Sequence, residues 1–416
     1  MSIRHALIIG GGIAGPVTAM FLQKAGISAA IYEARSAVEE ASSGLQIAPN
    51  GMNVLKAIGI DGKVADAGCI TSHICFRNSQ GRVLSRVENG NPKHHGAPAV
   101  TITRSALHQV LISEAISRGI PVCFGKRLIG LDDHPDDCPD GHPDGRPDCR
   151  PKRPVHARFE DGTSAEGDII IGADGIWSAV RRLAMPEAPN PVYTGLLGVG
   201  GIAPLTNSPC LALADLDSMT MTWGPAGFFG YGTCRLRSGK AMLWWSNQPQ
   251  EVPPTREELK SASQDELRRR LMELHRGWHE PIVSLIESTE EVQRIAIYEM
   301  PSLPAWHRGR AVLIGDAAHA MATSAGQGAS QALEDGMLLA RLLRDQRGSI
   351  EETFAAFEQQ RRSRVEKISA IARRNSDRKK PLGPLGLRIR DFLVAHLLPV
   401  VAGRSWNAMY AYKIDW

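Results

Sequence analysis

The chain has 416 residues, of which 43 % are apolar and 22 % charged, with a formal net charge of +4. This is globular composition; it excludes a disordered chain and allows one large domain with an excursion or two ordinary domains. The basic residues are dispersed, and their densest group, Arg373-Arg374 with Arg378-Lys379-Lys380, has no aromatic stacking ladder beside it, which reads as a solvated helix end and not a nucleic-acid surface.

In chain order, Ala6-Leu7-Ile8-Ile9 is too short an apolar run for a secretory signal and reads as a first β-strand. It enters the glycine turn Gly10-Gly11-Gly12-Ile13-Ala14-Gly15; a helix follows over residues 16–25, Gly26 ends it, and residues 28–32 give a second strand. Gly10 permits the tight turn, Gly12 lets a pyrophosphate approach the backbone, and Gly15 lets the helix pack on the sheet. The free N–H groups at the start of the helix, including those of Ile13 and Ala14, face the phosphates with the helix dipole behind them. Glu33, 18 residues beyond Gly15, ends the second strand, where a carboxylate accepts ribose hydroxyls. Strand, turn, helix, strand and acid concur on dinucleotide binding.

A short helix is expected over 51–57, a hairpin over 74–84 around Ser79-Gln80-Gly81, and a helix with apolar positions Leu107, Val110, Leu111 and Ala115. Residues 132–154 are rich in proline, glycine and aspartate and cannot support a core strand, so they are placed at the tip of a hairpin. Cys138, Cys149, His134 and His142 lie in that segment, but their spacing matches no compact zinc signature, and no metal site is assigned. Ile169-Ile170-Ile171 forms another strand, ending in Gly172-Ala173-Asp174-Gly175.

From about 190 to 300 the texture is strand-rich: 211–216, 219–223, 228–233 and 241–245, then helical material over 257–275 and a strand at 295–298. Gly198-Val199-Gly200-Gly201-Ile202-Ala203 imitates the first glycine turn, but Pro204 follows at once and no helix comes after, so it reads as a bend in a strand. Trp223, Phe229, Tyr231 and Trp244 are candidates for a flat substrate pocket. Phe229 and Tyr231 share one face by strand alternation, with either Trp244 or Trp245 joining them, and Met219, Met221 and Trp223 form a comparable stripe. His73, Arg77 and Arg235 are possible polar contacts; no catalytic base is identifiable. Ala311-Val312-Leu313-Ile314 then delivers Gly315-Asp316 to a strand's carboxyl end, and Gly326-Gln327-Gly328 opens a long helix over 329–343 whose positive end stabilises anionic charge. Residues 392–401 are the nearest approach to a membrane span, yet His396 and Pro399 interrupt them, so a packed C-terminal segment is expected and no stable membrane insertion. Seven cysteines without a secretory signal point to reduced thiols in the cytoplasm.

The ordered set of motifs resembles the class A flavoprotein monooxygenases, the family of para-hydroxybenzoate hydroxylase. The matching pieces are residues 10–15, Glu33 with Arg35, Pro49-Asn50-Gly51, Thr103-Arg104-Ser105-Ala106-Leu107, Gly172-Ala173-Asp174-Gly175, Ser178, Val180-Arg181, Gly315-Asp316-Ala317-Ala318-His319, Gly326-Gln327-Gly328 and Glu334-Asp335. They span roughly residues 5–345 in order. The resemblance implies an α/β fold, with a Rossmann-like FAD-binding domain, an inserted β-rich substrate domain and C-terminal helices. The expected boundaries are 1–72, 100–185 and 300–345 for the FAD domain, 73–99 and 186–299 for the substrate domain, and 346–416 for the helical region.

The resemblance further implies that Glu33 holds the adenosine ribose, that Arg35 and Arg104 approach the pyrophosphate, and that Asp316 contacts ribityl and pyrophosphate. Gly326, Gln327 and Gly328 would place backbone near the pyrimidine side of the isoalloxazine, and Asp174-Gly175 would lie near the pyrophosphate and serve use of the nicotinamide donor. The implied activity is NADPH- or NADH- and dioxygen-dependent hydroxylation of an aromatic or polycyclic molecule through a flavin C4a-hydroperoxide, by a monomer or homodimer. A flavin oxidase or dehydrogenase, and a non-enzymatic FAD-binding interaction protein, are alternatives; a flavin-dependent halogenase is a weaker one, since Trp244-Trp245-Ser246-Asn247-Gln248-Pro249 does not reproduce that group's Trp-x-Trp-x-Ile-Pro signature. Two positions depart from the family pattern: Thr323 stands at a common proline and Ser330 at a common asparagine. Thr323 restores an N–H and frees φ, altering the loop beside the reactive flavin edge. His319 is expected to shape its loop and not to act as a general base.

Overall fold

A computed structural model describes residues 3–37, 43–132, 154–205, 216–377 and 382–416. Two large sheets carry the architecture. The first has six strands in the order His307–Arg308, Ala311–Leu313, Ile169–Gly172, His5–Ile9, Ser28–Tyr32 and Val122–Cys123. The pairs made by the last five strands are parallel, and only the His307–Arg308 edge is antiparallel. Parallel strands need cover on both faces, which is why these segments read as unbroken apolar runs and Leu7, Ile8, Ile169, Ile170 and Ile171 are fully buried. From the first strand the chain winds to one side through Ser28–Tyr32, then returns to the other through Ile169–Gly172. The winding therefore reverses between Ile9 and Gly172, and such reversals leave a crevice at the carboxyl ends of the strands.

The second sheet has seven strands in the order Gln293–Glu299, Val192–Pro204, Gly239–Pro249, Gly227–Leu236, Ser218–Gly224, His73–Asn78 and Val83–Glu88. All its pairings are antiparallel except that of Ser218–Gly224 with His73–Asn78. The expected hairpin at 74–84 is thus the far edge of this sheet. The glycine run at 198–203 is not a bend: it lies inside the continuous strand Val192–Pro204. The irregularity comes earlier, between Tyr193 and Leu197, where Gly195 takes φ +74°. The expected strand at 211–216 falls almost wholly outside the described residues. So does the loop at 132–154, although its flanks Leu128–Asp132 and Val155–Phe159 pair antiparallel as a hairpin would.

Helices Ala14–Lys24 and Gly328–Arg344 pack together over the first sheet. Their approach is close enough that a Cβ at Gly336 would lie 2.5 Å from Thr18 Oγ1. The helical material expected over 257–275 is two helices, Arg256–Ser261 and Gln264–Leu274, which with Ile282–Glu287 flank the second sheet. At the C-terminus, Ile350–Asp377 runs back along the first domain, and Pro384–His396 and Leu398–Tyr410 lie against the Val83–Glu88 edge of the second sheet. The aromatic tail packs on its own chain, Trp416 lying 4.9 Å from Phe21, ring to ring. No described helix is long and apolar enough to cross a membrane.

Candidate active site

The glycine turn sits where the sheet reverses. Gly10 holds φ +108°, a conformation that only glycine adopts without strain, and a Cβ there would lie 2.4 Å from the Ala173 carbonyl oxygen. A Cβ at Gly15 would lie 2.0 Å from Gly10 O, so helix and turn close on each other as the spacing predicted. At Gly12, Gly175 and Gly328, by contrast, a Cβ would meet no protein atom within 4 Å. These three border one cavity of about 2210 Å³.

That cavity begins at the turn, with Gly10, Gly12, Ile13, Ala14, Glu33 and Arg35. It continues past Arg104, Asp174 and Asp316, then past Thr323, Gly326, Gln327 and Gly328. All cofactor candidates of the sequence except Gly15 therefore line one continuous space. Gly15 lies one step behind it, as its packing role requires. Glu33 is held on both oxygens, Oε2 accepting from Gly11 N at 2.7 Å and Oε1 from Arg35 N at 2.9 Å. Asp316 follows Gly315, which takes φ +58°, and its side chain is exposed to the cavity.

Three residues support this site in ways the sequence did not assign, although Arg181 and Asp335 stand in its motif set. Buried His108 lies beneath the turn and donates from Nε2 to the Gly11 carbonyl at 2.7 Å; burial holds its imidazole below the ordinary histidine value, so the neutral ring is favoured. Arg181, 3 % exposed, donates to Ala317 O and Ile176 O, each at 2.6 Å, and so ties the Asp174-Gly175 turn to the Gly315-Asp316 turn. Asp335 Oδ2 accepts from Gly315 N at 2.8 Å and from His319 Nε2 at 2.6 Å. His319 is thereby committed to its loop. Burial would raise the Asp335 carboxyl, but His319 and Arg361 outweigh it and hold it below the usual carboxylate range.

Asp174 is the opposite case. Its Oδ2 accepts from Ala179 N at 2.7 Å and Val180 N at 3.1 Å, while Oδ1 is buried with no partner. Burial pushes its carboxyl up, against the pull of Ser178 and the two backbone donors. On the far side of the cavity, Gln46 borders the space near Gly326, and its buried Nε2 also lacks a partner. Ser330, at the departure from the family pattern, accepts from Ala48 N at 3.2 Å and so joins the long helix to the strand–helix turn before Asn50.

The cavity then reaches the second sheet, and here the sequence chose the wrong face for two residues. Phe229 and Tyr231 share a face as alternation required, but it is the one covered by helices Gln264–Leu274 and Ile282–Glu287. They do not border the cavity. Trp244 borders it, yet its ring stacks on Phe229 with centroids 5.3 Å apart, and its Nε1 donates to Thr289 Oγ1 at 2.7 Å on the helix-covered side. Trp223 does line the cavity, with Phe228, Trp245, Met219, Met221 and Phe76 completing the wall. Alternation fixes which residues go together; which side the helices cover is a tertiary matter. His73, Arg77 and Arg235 lie away from the cavity, and Arg235 Nε donates to Gly68 O at 3.4 Å. The C-terminal helices supply the remaining wall through Ile389, Arg390, Leu393, Val394, Trp406 and Tyr410. Among the described residues no group of His, Cys, Asp or Glu is arranged to hold a metal ion.

The space beside Gly12, Gly175 and Gly328, the Glu33 carboxylate at its edge, and the unpartnered Gln46 Nε2 fit an extended dinucleotide with a flat polar-edged head. The family model described as "FAD binding domain" matches residues 4–372. The chain is 30 % identical over 376 residues to 6-hydroxynicotinate 3-monooxygenase of Pseudomonas fluorescens, covering 89 % of this chain and 90 % of that one. It is 31 % identical over 343 residues to aurachin C monooxygenase/isomerase of Stigmatella aurantiaca, covering 81 % and 80 %. In fold it is similar to Klebsiella pneumoniae HpxO, solved with FAD and uric acid, at a TM-score of 0.79 and 24 % identity over 98 % of this chain and 97 % of that one. This chain therefore belongs to the FAD-binding domain family, within the class A flavin monooxygenase superfamily.

Proposed function

We propose that the protein is a FAD-dependent monooxygenase that hydroxylates an aromatic or polycyclic small molecule at the expense of NADPH or NADH and dioxygen. The observation that carries this reading is the continuity of the cavity: one space joins the dinucleotide crevice at Gly12 and Glu33 to the aromatic wall of Trp223, Phe228 and Trp245. The Pseudomonas and Stigmatella relatives are monooxygenases, and the first acts on 6-hydroxynicotinate, a small heteroaromatic acid. When bound, FAD supplies hydride acceptance from the nicotinamide and activation of dioxygen for transfer of one oxygen atom.

The protein's residues do the rest. Glu33, pre-oriented by Gly11 N and Arg35 N, receives the ribose hydroxyls. Arg35 and Arg104 balance the pyrophosphate charge, and Asp316 accepts from the polyhydroxyl chain. The N-terminus of the helix Gly328–Arg344 faces the site with its free N–H groups and positive dipole end, which would stabilise negative charge on a flavin held there. The aromatic and methionine wall excludes water from the reacting edge and receives a planar ring. Asp174-Gly175 is assigned to the pyrophosphate side and to use of the reductant. The FAD domain boundaries proposed are 1–72, 100–185 and 300–345, with 73–99 and 186–299 forming the substrate domain.

Anaerobic mixing of the yellow holoprotein with NADPH or NADH across a panel of aromatic compounds tests this. Substrate-stimulated bleaching, followed on admission of labelled dioxygen by a product carrying one labelled oxygen atom, is expected. Reduction that returns only hydrogen peroxide with every compound would make the protein an oxidase. A protein that takes up no FAD would sink the reading altogether.

A further inference from the structure

The helix Pro384–His396 has no buried residue, although it carries Leu385, Ile389, Phe392 and Leu393. Its inner side is accounted for. Val394 packs on the cluster of Ile74, Phe76, Val87 and Met219, and the helix lies against the strand Val83–Glu88. Among the described residues nothing covers the opposite side. Leu385 is 72 % and Phe392 61 % exposed, and neither borders the cavity. Ile389, Leu393 and Leu397 are exposed too and continue the same stripe at helical spacing. These three do border the cavity, so the apolar face runs up to its rim.

The charge on this segment is one-sided. The whole chain carries 48 Lys and Arg against 44 Asp and Glu, but residues 378–414 carry seven against one. That one acid, Asp391, is already engaged, Oδ1 accepting from Arg390 at 2.8 Å and Oδ2 from Asn78 at 3.3 Å. Arg388 stands exposed on the helix beside the apolar stripe, and Arg378-Lys379-Lys380 precede the helix in the sequence.

A contiguous exposed apolar stripe marks an interaction surface. A second copy docked face to face would set this basic segment against itself. A bilayer surface with anionic headgroups suits both features: apolar side chains enter the acyl boundary while Lys and Arg stay among the headgroups. We infer that the helix Pro384–His396 is a docking face for an anionic lipid surface, with Leu385 and Phe392 as the inserted side chains and Arg388 among the headgroups. The contact is peripheral, since a helix of 13 residues is shorter than the roughly 20 that a span needs. Because the same helix forms part of the cavity rim, docking turns that rim toward the bilayer. A lipophilic aromatic dissolved there then enters without crossing water, a consequence that rests on the substrate-cavity reading given above.

Flotation with lipid vesicles tests the docking without turnover. The FAD-loaded full chain is mixed at low salt with vesicles of phosphatidylcholine alone, or of phosphatidylcholine and phosphatidylglycerol in equal parts. Partitioning onto the anionic vesicles should exceed that onto the neutral ones by at least about tenfold, and high salt should remove most of the difference. The double substitution Leu385→Asp with Phe392→Asp should lower partitioning on the order of tenfold to a hundredfold, and Arg388→Glu roughly fivefold to thirtyfold. All three side chains are exposed and outside the cavity, so FAD content and circular dichroism should stay as in wild type. The proposal fails if the holoprotein does not float with anionic vesicles, or if the double variant floats as wild type does. It fails too if sedimentation shows a wild-type dimer that the double variant converts to monomer, because the face then belongs to a second copy. Normal flotation with no hydroxylated product from any aromatic would instead count against the monooxygenase reading alone.

Discussion

The Arg361 guanidinium lies 2.6 Å from the Asp335 carboxylate, and neither side chain has any solvent exposure. Arg361 sits on the helix Ile350–Asp377, Asp335 on the helix that begins at Gly328. The same guanidinium reaches Glu334 at 2.5 Å, and Glu334 also receives Arg364 and Asn50. Tyr412 covers the group, its ring 4.0 Å from the Arg364 guanidinium. Two acids of the sequence fingerprint are thus neutralised by a helix that the fingerprint does not include.

Arg361→Met should therefore be strongly destabilising, by about 3–5 kcal/mol, because it leaves two buried carboxylates short of a partner. Chemical denaturation would measure it. Since Asp335 also holds Gly315 N and His319, the variant should lose FAD more readily than wild type. A denaturation midpoint close to wild type would show that the network is not needed for stability.

Acid should act on Asp335 and Asp174 with opposite signs. Asp335 has a folded pKa held below its unfolded value of about 3.9, by His319 and Arg361 against burial. Its stabilisation is full above that unfolded value and is lost as pH falls through the lower folded one. Glu358, on which burial is outweighed by Trp306 N and Arg362, moves the same way. Asp174 has a raised folded pKa, so its contribution is full in acid and is lost as pH rises through the folded value. Asp174→Asn should accordingly hold or raise the denaturation midpoint at neutral pH. Asp335→Asn should lower it and flatten the acid limb between about pH 5 and pH 3.

Gly12→Ala and Gly15→Ala should separate cofactor binding from folding. The added methyl at position 12 meets no protein atom within 4 Å, so apoprotein stability should change little while FAD affinity falls at least about tenfold as the methyl enters the crevice. At position 15 the Cβ would stand 2.0 Å from Gly10 O, which forces the backbone apart and should cost stability itself, by about 1–3 kcal/mol or more. Equal apoprotein melting temperatures for both variants would contradict this.

The two faces of the second sheet should answer differently to truncation. Phe229→Ala empties a core under the flanking helices and should cost about 3–5 kcal/mol, because Phe229 is fully buried against Trp244. Trp245→Phe, on the cavity face, should leave the melting temperature nearly unchanged and alter ligand affinity instead. Ligand titration alongside thermal denaturation tests both, and a reversal of the two effects would overturn the assignment of faces.

Much of the first sheet was legible because it depends on local steric rules. Gly10 at φ +108° and Gly15 against Gly10 O are backbone necessities, and the β-branched run Ile169-Ile170-Ile171 is a strand buried on both faces. The glycine run at residues 198–203 forms no second strand-to-helix turn, but its place inside an unbroken strand, with Gly198 to Gly201 bordering the same cavity, depended on partners distant in sequence. Phe229 and Tyr231 were correctly paired with each other and wrongly aimed. Their spacing carries a face but no label saying which face the later helices cover.

By itself the sequence determined the dinucleotide crevice, since strand, glycine turn, helix and terminal acid are contiguous and each step obeys short-range geometry. It determined too that Asp316 and Gly328 stand at strand and helix ends. Only the tertiary structure decided that these share one cavity with Trp223, Phe228 and Trp245, and that Arg390 enters it from the C-terminal helix. Those contacts join residues far apart in sequence, and a pattern read along the chain records periodicity but not which surfaces meet.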